Sequence, residues 1–246
     1  MPTLNLNNIN KLFYSNTEAQ KLYKGGDLLY SIAVVDPHLA NVVLHLKGDG
    51  ANDSTNIVDS SPTSKTITRF GDTKISTAQS KYGGSSIYFD GTGDYLTLPS
   101  DSDLIFATSS TFTVEFWVKL NATNLAYTVL KLSTNGGFRV GSGLIQMYDA
   151  NSSLNRSSSY TANLNWTHVA YVRISNVINM YVNGILLTSS VANFGANSAF
   201  TVSSIGGLPF TGANYLAGYL DSLRITKNIA RYTANFNPET DTYLAY

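Results

Sequence analysis

Cysteine is missing from all 246 residues. That excludes disulfides, thiolate metal sites and cysteine nucleophiles, and leaves the redox compartment open. Charge is scarce too: Asp, Glu, Lys and Arg make up 13% of the chain, against about a quarter in ordinary domains. Sixteen basic residues balance sixteen acidic ones, so no long-range field draws the chain to nucleic acid or to an anionic membrane. The opening Met1-Pro2-Thr3-Leu4-Asn5-Leu6-Asn7-Asn8 has no basic n-region and no apolar run. No signal peptide is read there, and no later stretch is long enough to cross a bilayer as a helix. Helical periodicity is absent through the main part of the chain.

What the chain does have is apolar and aromatic residues, 43% and 12% of the total, enough to fill a core. Ser, Thr and Asn take the place of the missing charge. The period-2 pattern is clearest between Gly83 and Lys119. Ile87 and Phe89 share one face before Gly91-Thr92-Gly93-Asp94, and Leu96 and Leu98 share one face after it. This predicts two strands joined as a hairpin. In Phe112-Thr113-Val114-Glu115-Phe116-Trp117-Val118-Lys119 the odd members are all apolar and the even ones mixed, as for a strand with one side on a core between two sheets. Further strands are expected at 41–46, 57–62, 66–68, 127–132, 138–140, 144–148, 166–173, 179–182, 185–187, 200–202 and 217–226. Asn183-Gly184 marks a tight hairpin. The stretches 70–81 and 149–159 read as loops, and 227–238 as a helical turn and exit loop. The class is all-β, a two-sheet antiparallel jelly-roll sandwich over residues 39–238, with a tail at 239–246.

Residues 1–38 differ. Lys11-Leu12-Phe13-Tyr14 recurs as Lys21-Leu22-Tyr23-Lys24, and Gly25-Gly26-Asp27 turns into Leu28-Leu29-Tyr30. Short β-prone pieces without a second layer are marginal by themselves. They read as a β-rich N-terminal arm for attachment or oligomerisation, or as an extension docked on its own domain. The repeated pattern resembles segments of tailed-phage structural proteins.

Four motifs together resemble the laminin G-like, concanavalin A-like lectin/glucanase family. They are Tyr82-Gly83-Gly84-Ser85-Ser86-Ile87-Tyr88-Phe89-Asp90-Gly91 with Asp94-Tyr95-Leu96; Phe112–Val118; Trp166-Thr167-His168-Val169-Ala170 with Met180-Tyr181-Val182-Asn183-Gly184; and Gly218–Ile225. The resemblance implies two curved antiparallel sheets. Ile225-Thr226-Lys227-Asn228-Ile229-Ala230-Arg231-Tyr232 looks like the ending of such domains in phage and cyanophage virion proteins.

Glucanases of this superfamily place acidic residues in a Glu-x-Asp-x-x-Glu pattern on one strand, because cleavage needs two carboxylates near each other. The chain has only Glu18, Glu115 and Glu239, none in that pattern, so no enzyme is expected. His38, His45 and His168 lack helical metal spacing, and no Gly-x-Ser-x-Gly elbow occurs. Asp221 shares parity with Tyr219, Leu223 and Ile225, which points it at an apolar face, where it needs donors or a cation. Gly48-Asp49-Gly50 has carbonyls to offer a calcium ion. The resemblance implies a structural Ca2+ between the first and last strands, with Asp49 and Asp221 as metal ligands; the alternative is a hydrogen-bonded aspartate with no ion. For a sugar face, Trp117, Tyr127, Tyr148, Tyr160, Phe210 and Tyr215 are available, and the sequence does not choose among them.

The expected function is a non-catalytic phage virion structural protein, a capsid decoration or tail-fibre module, with glycan adhesion beside it. Its expected partners are other virion proteins, copies of itself and host surface glycans, without nucleic acid or membrane insertion. Its expected location is the virion, after synthesis in the host cytoplasm. A free calcium-dependent carbohydrate-binding lectin is the rival reading, and a glycoside hydrolase the least favoured.

Overall fold

A computed structural model describes residues 36–107, 109–133, 136–149, 154–191, 199–207 and 214–240, together with four strands before residue 36. The chain divides into two units, residues 1–37 and 38–246. In the first, β1 (Phe13–Tyr14) pairs antiparallel with β2 (Thr17–Glu18), and β3 (Lys21–Lys24) with β4 (Asp27–Ser31).

The second unit opens with β5 (Val42–Leu46), buried throughout. Short strands follow: β6 (Thr68–Phe70), β7 (Lys74–Ser76), β8 (Ser86–Asp90), β9 (Tyr95–Thr97) and β10 (Ile105–Phe106). The long β11 (Phe112–Leu120) leads to a meander of β12 (Ala126–Leu132), β13 (Gly136–Gly141), β14 (Leu144–Asp149) and β15 (Leu154–Ser159). A second meander is β16 (Thr167–Ile174), β17 (Val177–Val182) and β18 (Ile185–Val191), followed by β19 (Phe200–Ile205) and β20 (Ala217–Lys227). Two eight-stranded antiparallel sheets result. The front sheet runs β18-β17-β16-β11-β20-β8-β7, with β5 also on β20; the back sheet runs β15-β14-β13-β12-β19-β9-β6, with β10 on β19. This is a jelly-roll-like sandwich. The helical pieces among the described residues are three-residue 3-10 turns, and no helix there is long and apolar enough to cross a membrane.

The core forms where the apolar faces meet. Phe112, Val114, Phe116 and Val118 of β11 point inward as their spacing predicts, toward Leu132, Phe138, Val140, Ile145 and Met147. Phe112 meets Phe138 and Phe200 edge to face, at 6.2 and 5.8 Å between centroids, the favoured aromatic geometry. Asn183 and Gly184 adopt φ of +49° and +77°, the left-handed pair that a two-residue hairpin needs, and join β17 to β18.

Five expectations fail in instructive ways. The strands around Gly91–Asp94 are not a hairpin: β8 pairs with β20 and β7, while β9 pairs with β19 and β6. The turn carries the chain from one sheet to the other, and alternation shows which face is buried, not which strand is the partner. The loop expected at 149–159 contains β15, whose Ser- and Asn-rich residues are paired to β14 at the sheet's edge. The stretch 70–81 contains β7, whereas 57–62 holds only a single bridge, Leu46 to Asp59. The expected helical turn after Lys227 is instead an extended strap, residues 228–238, ahead of a 3-10 turn at Pro238–Thr240.

Candidate functional site

Three polar places among the described residues bear on function. The first is the turn at 80–84, against which Asp221 and Asp49 both lie. Ser222 has φ +51° and sits in a bulge. Asp221 stands opposite Trp117 and Arg224 opposite Glu115, so Ser222 and Leu223 share one partner position. The extra residue reverses the parity. Leu223 and Ile225 enter the core, while Asp221 turns to the outer face with Trp117, contrary to the expected common face. Its carboxylate is 1% exposed. Oδ2 accepts the backbone N–H groups of Lys81 and Tyr82 at 2.8 and 3.1 Å, and Oδ1 accepts the Ser222 hydroxyl at 2.8 Å. Burial, with the Asp49 charge added, outweighs these bonds and raises its pKa to about 6. The Asp49 carboxylate occupies the place a Cβ on Gly83 would take, 1.7 Å from it. The structure thus brings the two aspartates to one turn. A calcium ion takes six to eight oxygens. Here the Gly48 carbonyl already accepts Ser85 Oγ at 3.0 Å, and no group of three acidic, histidine or cysteine side chains able to hold a metal occurs among the described residues. These residues do not fit an ion; the donors on Asp221 make it a hydrogen-bonded buried carboxylate.

The second place is the outer face of the front sheet. Three rows cross it: Thr226–Thr113–Val172, Arg224–Glu115–Ala170 and Asp221–Trp117–His168. Every one of these residues is buried; the strap lies over Thr113, Glu115, Ala170, Val172 and His168, and the turn at 80–84 lies against Asp221 and Trp117. Thr113 Oγ1 donates to the Ile229 carbonyl and accepts the Arg231 N–H, both at 3.0 Å. Phe236 N–H donates to the Gly184 carbonyl at 2.9 Å. The rings of Tyr232 and Phe236 stack at 3.5 Å, and with Ala230 they cover Ala170, Val172 and Tyr181. Glu115, fully buried, accepts from Arg231 Nη1 and from the Tyr232 hydroxyl at 2.6 Å. His168 Nε2 stands 3.7 Å away. Burial alone would raise the Glu115 pKa. The charge of Arg231, then His168, then the charge of Arg224 overcome burial and hold it well below the usual carboxylate range. Lys81 Nζ lies 3.8 Å over the Trp117 ring and reaches Glu239 at 2.6 Å. This face carries two carboxylates, where glycan cleavage would need an accessible pair. Its carboxylates, Glu115 and Asp221, are inaccessible and bonded within the chain.

The third place is an open cleft of about 400 Å³ lined by Asp53, Thr55, Arg69, Asp72, Lys74, Tyr88 and Asp90. Its foundation is Asp94, fully buried, where the chain crosses between sheets. Oδ1 accepts Asp72 N–H at 2.5 Å and Oδ2 accepts Asp90 N–H at 2.8 Å, so one carboxylate ties together the two turns that line the cleft. Burial raises its pKa; the two N–H groups pull it back without cancelling the rise, and the Asp90 and Asp72 charges add to it. Gly71 is required beside it: φ is +67°, and a Cβ would come within 2.3 Å of Asp94 Oδ1. Lys74 pairs with Asp53 at 2.6 Å. Tyr88 tilts against Tyr219 at 5.0 Å.

None of the five described aromatics among the six named from sequence lines this cleft. Trp117 is under Lys81 and Tyr127 is in the core. Tyr160 packs on the core's rim. Tyr148 lies 4.0 Å beneath Arg139, Tyr215 stacks on Tyr95 at 6.4 Å, and Phe210 lies outside the described residues. Tyr88 was legible by parity, since it alternates with the inward Ile87 and Phe89; nothing in the sequence joined it to residues 53–74.

Beside the face sealed by the strap, the sandwich carries an open, polar cleft that holds an aromatic ring. The chain belongs to the concanavalin A-like lectin/glucanases superfamily: the superfamily's Laminin_G_3 profile matches residues 90–230. No curated protein matches the sequence. The fold is similar to that of the botulinum neurotoxin serotype D/C binding domain, with a TM-score of 0.60 at 12% identity over 84% of this chain and 52% of that one. This chain therefore spans about half the length of the neurotoxin domain. A botulinum neurotoxin type C structure, described with cell entry dependent on two ganglioside molecules, gives a TM-score of 0.57 at 15% identity over 85% of this chain and 52% of that one. Domain 4 of AbnA, an extracellular GH43 arabinanase from Geobacillus stearothermophilus, in complex with arabinotriose, gives 0.55 at 21% identity, over 84% of this chain and 98% of that one.

Proposed function

We propose that this protein is a non-catalytic module that binds glycans through the Tyr88 cleft. The observation that carries the reading is the contrast between the two polar places. The strap seals Glu115 and its neighbours from solvent, while the cleft presents an aromatic ring among hydrogen-bonding groups. That is the usual make-up of a sugar site. The arabinotriose complex and the neurotoxin whose cell entry depends on two ganglioside molecules, both of this fold, support it as likenesses of architecture. The test is a glycan array probed with the full chain and with Tyr88→Ala, beside a reducing-sugar assay. The expected result is sugar-selective binding lost in the variant, with no turnover; turnover by the intact protein would refute it. Binding unchanged by a chelator is expected, since the donors on Asp221 leave calcium without a ligand set.

The finer reading places this module on a tailed-phage virion, as a capsid decoration or tail-fibre part, attached through residues 1–38. Residues 1–37 form a unit of their own with two short hairpins, and such hairpins gain stability by pairing with other chains. Mass spectrometry of purified particles is expected to find the protein, and deletion of residues 1–35 to abolish incorporation while leaving the sandwich folded. Full incorporation of the truncated chain would end the arm reading.

A further inference from the structure

Resting on the reading of the Tyr88 cleft as a glycan site, we infer that its ligand is a neutral, polyhydroxylated sugar ring and that acidic sugars are rejected. The lining has three carboxylates, Asp53, Asp72 and Asp90, and two cations, Arg69 and Lys74. Lys74 and Asp53 neutralise each other at 2.6 Å. Asp53 also accepts Asn52 Nδ2 at 2.8 Å, so this pair has little left for a ligand. The remaining charges are Asp72, Asp90 and Arg69. Asp90 gives Oδ1 to the Thr92 N–H at 2.6 Å, while Arg69 Nη1 donates to the carbonyls of Gly71 and Thr73. The balance left facing the opening is one negative charge.

A carboxylate or sulfate on a ligand meets that excess and the unfavourable desolvation of like charges. A sugar hydroxyl both donates and accepts, so one ring can donate to Asp72 and Asp90 and accept from Arg69. Its C–H face can rest against Tyr88. The acceptors are held in place before any ligand arrives, because Asp94 fixes the backbone of both turns. Such preorganisation favours a rigid ring over a flexible chain.

Calorimetry of the full chain tests this with three probes: arabinotriose, a neutral hexose trisaccharide and sialyllactose. Binding is expected for at least one neutral probe, unchanged by added salt, and at least about tenfold weaker or absent for the sialylated probe. Asp72→Asn with Asp90→Asn is expected to weaken the neutral probe by about tenfold or more, since each loses a charged acceptor, with the melting curve retained. Equal or tighter binding of the sialylated probe, or a double variant as good as the parent, would overturn the ligand class while leaving glycan binding intact. Neutral binding that survives Tyr88→Ala would move the site elsewhere. No binding of any probe would overturn both this inference and the function it rests on.

Discussion

His45 sits on β5 opposite Arg224, and burial, then the charges of Arg224 and Lys47, lower its pKa to about 4, with Glu115 and Asp59 pulling weakly the other way. The unfolded chain takes up this proton near 6.5 and the folded chain near 4. Stability is therefore lost as pH falls through that window, by about 3 kcal/mol at most. Asp221 has the opposite sign. Its folded pKa of about 6 lies above its unfolded value, so its contribution is full at low pH and is lost as pH rises through 6. The two offset each other, and the wild type is expected to be nearly level between pH 4 and 6. Urea unfolding of Asp221→Asn is expected to show stability falling toward pH 4, and His45→Gln the reverse slope. Parallel flat profiles in both variants would refute the assignment. Arg231 makes a sharper case. Arg231→Ala leaves Glu115 buried without its cation and is expected to cost about 3–5 kcal/mol. Glu115→Gln with Arg231→Met is expected to cost clearly less than Arg231→Ala alone.

At the level of elements, the strap and the crossover turn decide what the molecule presents. Gly184 lies under the strap: a Cβ there would meet the Phe236 carbonyl at 1.9 Å. Gly184→Ala is expected to lift the strap's far end and quench the near-ultraviolet circular dichroism of the Tyr232–Phe236 stack, without unfolding the sandwich. Gly71→Ala strains a left-handed position against Asp94, at about 1–3 kcal/mol, and is expected to weaken glycan binding at the cleft with the strap undisturbed. The sequence made the inward face of β11 and the Asn183-Gly184 hairpin legible, because period-2 burial and left-handed turns are local properties. It did not reveal that β8 and β9 part to opposite sheets, since partner choice is non-local. The Ser222 bulge escaped because one inserted residue leaves no compositional trace yet flips the face of Asp221. The cleft escaped because residues 53 to 90 meet only once both sheets' edges are laid side by side.

For the whole molecule, a net charge of zero and a surface rich in hydroxyls and amides suit contact through hydrogen bonds rather than electrostatic steering. The fold holds a sealed face and an open cleft on the same sandwich, and the central claim is that glycans meet only the second. The direct measurement is a ¹⁵N amide shift map of the full chain titrated with a bound neutral oligosaccharide. The account predicts shifts confined to the segments around 53–55, 69–74 and 88–94, with residues 113–117, 168 and 231 unmoved and no sugar released. Shifts centred beneath the strap, or free reducing sugar in the tube, would contradict it.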